Sequence, residues 1–504
     1  VKRRDFLGSL IAAPALIGLT KKSPPAIAGG FVDDNGALGH SLRDGTLQPS
    51  SAAPRRMPIV IVGGGIAGLS AGWELERKGF RDFVILELEK DAGGNSRSGE
   101  NEITPYPWAA HYVPVPGPQA TLARELFEEL GVLRDGVWDE RHLCFSPQER
   151  LFLHGEWHAG VEPEYALGAP GRDAFRRFNE EIERARATGQ FTIPMALGAR
   201  RDSSLDNQSM AKWLRDRRLD SPALSWYVDY ACRDDYGALA IETSAWAGIH
   251  YFASRSHEEQ GPLTWPEGNA KITKHLVSKL RSHIQTDEPV VTIEPQGSGW
   301  LVRTSRSQYL ASSVIFAAPS MLLPVIATSI LPRGWRAPLV YSPWLTANLT
   351  LDRMPHEPAR GAPLSWDNVI YDSPSLGYVV ATHQSLRTRE DRSVWTYYFA
   401  LSGGTPQAGR SLLARRSWNE WSEVILDDLE RVHKDIRRCV SRIDIMRMGH
   451  AMVRPTVGFL SATNKVSALE RPGFYLAHSD ISGLSLFEEA QFRGVEAARK
   501  ALKR

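Results

Sequence analysis

Gly63, Gly65 and Gly68 stand in the spacing Gly-x-Gly-x-x-Gly, and Glu87 follows 24 residues after Gly63. Residues of these types at this spacing can hold a dinucleotide. Gly63 permits a tight turn, Gly65 lets the backbone approach a pyrophosphate, and Gly68 lets a helix pack closely on a strand. Ala67 falls in the first turn of that helix, where free N–H groups and positive potential favour phosphate. Glu87 is placed to accept hydrogen bonds from an adenosine ribose, and its charge disfavours a 2′-phosphate. Gly93, Gly94 and Asn95 come next. A second close approach of the backbone suits FAD, whose other half extends past the pyrophosphate.

The elements that must position these residues are legible around them. Pro58–Val62 is a short β-rich run, a helical stretch continues through Glu76, and Phe83–Leu86 is a second strand ending at the acid. At the far end Phe474–Ala477 reads as a strand. Asp480 and a loop of small residues follow, and then a helix that starts near Phe487. Asp480 is placed to bond the ribityl or pyrophosphate region. The helix start at Phe487 can face the flavin edge where negative charge gathers on reduction.

Composition bounds the rest. The chain has 504 residues, 60 Lys and Arg against 58 Asp and Glu, 42 % apolar residues and three cysteines. Length alone predicts about three domains at ~150 residues each. The apolar share excludes a disordered polyelectrolyte, and the near-zero charge argues against a nucleic-acid binder. Cys144, Cys232 and Cys439 lie too far apart for a Cys-x-x-Cys metal signature, so no metal is expected.

The first residues read as an address. Lys2-Arg3-Arg4 precedes an apolar run, Leu7–Leu19, that is shorter than the ~20 residues a membrane helix needs. Lys21-Lys22 and the small-x-small site Ala26-Ile27-Ala28 follow. The pattern is that of a twin-arginine signal, the bacterial route for folded cargo, with cleavage near Ala28. The expected destination is the periplasm or the exterior, with no stable membrane span after cleavage. Lys2, Arg3, Arg4, Lys21 and Lys22 against Asp5 carry four net positive charges. Their removal takes the formal charge from +2 to −2.

Taken together, Val60–Leu75 with Glu87 and Gly93-Gly94, Trp265–Ala270, and Ala477–Ala498 with Asp480, Gly483, Glu489-Ala490 and Gly494 resemble the flavin-containing amine oxidase superfamily. The resemblance implies an α/β fold, with a Rossmann-like FAD-binding domain interleaved with an α+β substrate domain. After the signal at 1–28 and the polar, turn-rich segment 29–56, which reads as a linker or surface arm, it implies FAD-domain segments at 57–122, 265–332 and 445–504, and substrate-domain segments at 123–264 and 333–444. Val291, in the strand Pro289–Ile293, resembles the position whose backbone reads adenine. The implied activity is oxidation of a C–N bond of a small amine or polyamine by hydride transfer to the flavin, with oxygen or another acceptor downstream.

The chain also departs from that pattern. Glu89 and Asn95 replace arginines, which leaves the phosphates to backbone N–H groups or to Lys90 or Arg97. Leu486 stands where an aromatic cage residue is common, and Tyr341–Leu349 carries no lysine where a flavin-proximal one is common. These departures keep open a desaturase- or isomerase-like enzyme on an apolar substrate, and a flavin-bearing partner protein without turnover. His111 and His450 are the catalytic candidates. Trp366, Tyr378, Trp395, Tyr397 and Tyr398 are candidates for an aromatic wall, with Trp395 and Tyr397 on one strand face and Tyr398 on the other. The acid pairs Asp234-Asp235 and Glu258-Glu259 could attract a polyamine, with a solvated surface as the default expectation.

Overall fold

The computed structural model describes residues 26–32, 36–163, 168–255, 261–357, 361–385 and 391–503. Residues 1–25 of the address and Glu258-Glu259 lie outside the described residues.

A parallel five-stranded sheet forms the first layer. Its order is Ile284–Gln285, Phe83–Leu86, Ile59–Val62, Ser313–Phe316 and Phe474–Leu476. The two central strands read as unbroken apolar runs because both of their faces are covered. Helices Ile66–Arg77, Ala270–Leu280 and Phe487–Leu502 contribute to the core on one face. The antiparallel strands Val290–Gln296, Gly299–Thr304 and Gln308–Ala311 contribute to the core on the other. Gly494 lets the last helix approach the first closely. A Cβ there would fall 2.1 Å from the Ala67 carbonyl oxygen.

The second layer is an eight-stranded, mostly antiparallel sheet. Its long central strands are Val440–Arg454, Val340–Leu351 and Ser393–Ala400. Helices Ala169–Ala187, Met210–Asp216, Pro222–Tyr236 and Ala245–Ala253 pack into a separate apolar core. Trp395 and Tyr397 are fully buried on one sheet face with helix Trp418–Glu430, while Tyr398 belongs to the opposite core, as strand alternation requires. The apolar residues of 418–439 recur at helical spacing, but the segment is not one helix. It stops at Glu430 and resumes as the single turn Ile436–Cys439.

The segment 29–56, expected as a linker, is built into both layers. Ala28–Phe31 adds an edge strand parallel to Val440–Arg454, and Arg55–Arg56 pairs with Gln308–Ala311. Between them lies helix Gly36–Arg43, whose Leu42 packs in the core that holds Val62 and Leu86. No helix among the described residues is long and apolar enough to cross a membrane.

Candidate functional site

The first glycine turn leaves its strand with Gly63 at φ +104°. The Gly63 carbonyl oxygen lies 1.9 Å from where a Cβ on Gly68 would sit, so only glycine lets helix and turn meet. Gly65 is the N-cap of helix Ile66–Arg77, and no side chain caps it. The first-turn N–H groups are therefore available to a ligand. A Cβ on Gly65 would meet no protein atom within 4 Å; the residue borders a cavity of about 320 Å³.

Glu87 lines the same cavity. Its carboxylate accepts from the Gly64 N–H at 2.7 Å and the Glu89 N–H at 2.9 Å. Burial still raises its pKa over these bonds. The Gly93 N–H donates to the Gly64 carbonyl at 2.8 Å, locking the second glycine pair onto the first turn. Gly93 and Gly94 both take positive φ, +133° and +55°. Asn95 donates to the Ala451 carbonyl at 2.7 Å and so ties the cradle to the long strand of the other sheet.

Asp480 lines the opposite wall at 1 % exposure. One of its oxygens accepts from the Ser320 N–H at 2.7 Å and from the Tyr341 hydroxyl. The other lies 2.9 Å from His478 Nδ1. Burial opposes its charge, but His478 and these hydrogen bonds outweigh burial and hold its pKa low.

Ala67, Phe487 and His450 also line this cavity. Val291 does not; its neighbour Val290 does, at the strand position where the register shifts. Neither Lys90 nor Arg97 lines the cavity, and Arg97 donates to the Gly94 carbonyl at 3.0 Å. The residues present fit FAD. They provide a cradle that a Cβ on Gly65 would invade, uncapped N–H groups for phosphate, and buried acids at both ends.

A second cavity of about 180 Å³ shares Asn95, Ala110, Asn269, Ala451, Met452, Ser485, Leu486 and Phe487 with the first. His111 lies here, apart from His450. Its ring stacks on Tyr398 at 4.6 Å between centroids and leans on Trp366 at 5.5 Å. Burial pushes its pKa down to about 4, so it is neutral at neutral pH. His450 is likewise pushed down to about 4, by burial and by Arg410. Asn269 sits at the junction, and its buried side-chain oxygen has no hydrogen-bond partner.

The remaining wall was expected only in part. Asp234 and Asp235, for which a solvated surface was the default and attraction of a polyamine the alternative, line this cavity with Asp367 and Glu488. Arg255 neutralises Asp235 through two contacts of 2.7 Å. Burial, reinforced by Asp235, raises the pKa of Asp234. Burial, reinforced by Glu149 and Asp234, raises that of Asp367. Burial pushes Glu488 up to about 7. One signal was available in the sequence. Asp234-Asp235 closes a helix at the end where acids are disfavoured.

The family described as flavin containing amine oxidoreductase matches residues 66–502. A protein of Mycobacterium tuberculosis described as a flavin-containing monoamine oxidase, AofH, is 27 % identical over 281 residues, covering 53 % of this chain and 58 % of that one. The chain thus aligns with little more than half the length of that relative. The structure of putrescine oxidase bound to putrescine superposes with a TM-score of 0.67 at 17 % identity, covering 90 % of this chain and 100 % of that one. A fatty acid isomerase from P. acnes gives 0.64 at 15 % identity, covering 88 % and 98 %. Cradle, acid, C-terminal helix and family match converge: the chain belongs to the flavin containing amine oxidoreductases, a family of oxidoreductases whose cofactor here is FAD.

Proposed function

We propose that this protein oxidises a C–N bond of a small amine or polyamine, with FAD accepting the hydride equivalent at N5. The observation that carries the reading is the pair of joined cavities. A nucleotide cradle opens, at Asn269, Leu486 and Phe487, onto a chamber whose wall is aromatic and acidic. FAD supplies the two-electron acceptance. The chain holds it through the helix N-terminus at Gly65, the carboxylate of Glu87, and Asp480. Tyr112, Tyr230 and Tyr398 exclude water from the chamber and bound the substrate. Neutral His111 offers a hydrogen bond without adding a positive charge to a site that receives an amine.

A desaturase- or isomerase-like reaction on an apolar substrate draws support from Leu486 and Met452 at the junction. Asp234, Asp367 and Glu488 weigh against it, because an apolar guest would leave these buried carboxyls without a counter-charge. Anaerobic mixing with a panel of amines tests the reading. Bleaching of the flavin absorbance is expected, and bleaching by alkene precursors alone overturns it. The rate of recolouring in air then separates oxygen from another acceptor. We further infer export in the folded state, supported by Arg3-Arg4 and the apolar run after them. Replacing both arginines with lysine is expected to retain the protein in the cytoplasm.

A further inference from the structure

The chamber breaks three local rules at once. Asp234 lies in the last turn of helix Pro222–Tyr236, where the helix dipole disfavours an anion. Asp367 is the register partner of Glu149 in the parallel strands Asp367–Ile370 and Glu149–Leu153. Two like charges therefore stand side by side on one sheet face, an arrangement that destabilises a sheet. Glu488 is 2 % exposed, and its Oε2 has no hydrogen-bond partner although the residue lines the chamber.

Neighbouring side chains offset these charges only in part. Burial raises the pKa of all three, although Tyr230 hydrogen-bonds Asp367 and Arg255 favours the charged forms of Asp234 and Glu488. The guanidinium of Arg255 is committed to Asp235 by its two short contacts. The Tyr112 hydroxyl reaches Asp234 only at 3.5 Å. Among the described residues no lysine or arginine pairs with Asp234, Asp367 or Glu488 in an ion pair. Glu149 is solvent-exposed, so the row of carboxyls extends from the surface to the flavin side of the chamber. Such an arrangement is stable when a cation occupies it.

Resting on the amine reading above, we propose that Asp234, Asp367 and Glu488 are the specificity-determining residues that hold a second cationic group of the substrate, so that the preferred substrates are linear diamines or longer polyamines and not monoamines. The reacting nitrogen enters the chamber toward the Leu486 junction as a neutral amine. The distal ammonium remains charged between the carboxylates. A monoamine of equal length leaves those carboxylates without a counter-charge and loses that binding.

The test compares diaminoalkanes of three to six carbons with monoamines of matched length, using the holoenzyme. The wild type is expected to favour the diamines by 100-fold or more in kcat/KM. Asp367→Asn and Glu488→Gln keep side-chain size and are each expected to reduce that preference 10-fold or more. The loss should appear in KM for the diamine and exceed any change in KM for the matched monoamine. Binding is read separately on dithionite-reduced holoenzyme, where no turnover occurs. There the diamine should raise Tm in the wild type and fail to do so in Asp367→Asn. Equal kcat/KM for diamines and monoamines, or equal losses for both in the variants, overturns the proposal while leaving amine oxidation standing. Failure of every amine to bleach the flavin overturns the underlying reading instead.

Discussion

The nucleotide cradle and the acidic chamber share a wall and obey opposite rules. In the cradle every special residue is locally consistent. Glycines take positive φ where a turn needs it, a helix N-terminus faces the place for phosphate, and Glu87 is bonded by two N–H groups. In the chamber acids sit at the wrong end of a helix and opposite one another across strands. The first region is arranged to bind a group whose shape the backbone itself matches. The second stores unfavourable charge, as functional sites do.

The largest effect that would break this comparison lies in the cradle. Gly65→Val is expected to abolish FAD retention, because its side chain would occupy the cavity beside the uncapped helix. Purified protein should be colourless, and a yellow variant would refute the placement of the pyrophosphate. In the chamber, Asp367→Asn should act in two directions. Diamine kcat/KM should fall, while the unliganded protein should gain stability of roughly 1 kcal/mol as the repulsion with Glu149 disappears. A parallel loss of both would place Asp367 among ordinary structural residues.

The pH dependence sharpens the point. The carboxyl of Glu488 is pushed from the ordinary value of 4.5 up to about 7 in the folded state. Its contribution to stability is fully present below about pH 4.5 and is lost as pH rises through about 7, because the unfolded chain releases the proton more readily. Thermal melts between pH 5 and 8 should therefore show a fall that Glu488→Gln flattens. The smallest effect concerns the segment before the cradle. Leu42→Ala should speed FAD release several-fold without changing the amine preference, since Leu42 packs with Val62 and Leu86 on the cavity wall. An unchanged release rate would make that helix a bystander.

The cradle was legible because its signals are local. Gly63, Gly65, Gly68 and Glu87 act through turn geometry and helix ends, and these are properties of neighbouring residues. Strand alternation likewise separated Trp395 and Tyr397 from Tyr398. The misreadings have a common cause. Val290 rather than Val291 borders the cavity, at a register shift that depends on the partner strand. Residues 29–56 are polar and turn-rich, yet their backbone is ordered by distant strands at Arg442–Ile445 and Tyr309–Leu310.

The sequence by itself determined the glycine turn, the acid that follows it, the strand–loop–helix unit at the C-terminal end and the class of fold. Each follows from spacing within some thirty residues or fewer. Only the tertiary structure decided that His111 and His450 occupy different cavities, and that Asp234, Asp367 and Glu488 converge on one chamber. These carboxyls come from a helix, a strand and the start of the last helix. Spacing along the chain carries no record of such a meeting. It is fixed when separate apolar cores pack and bring their polar edges together.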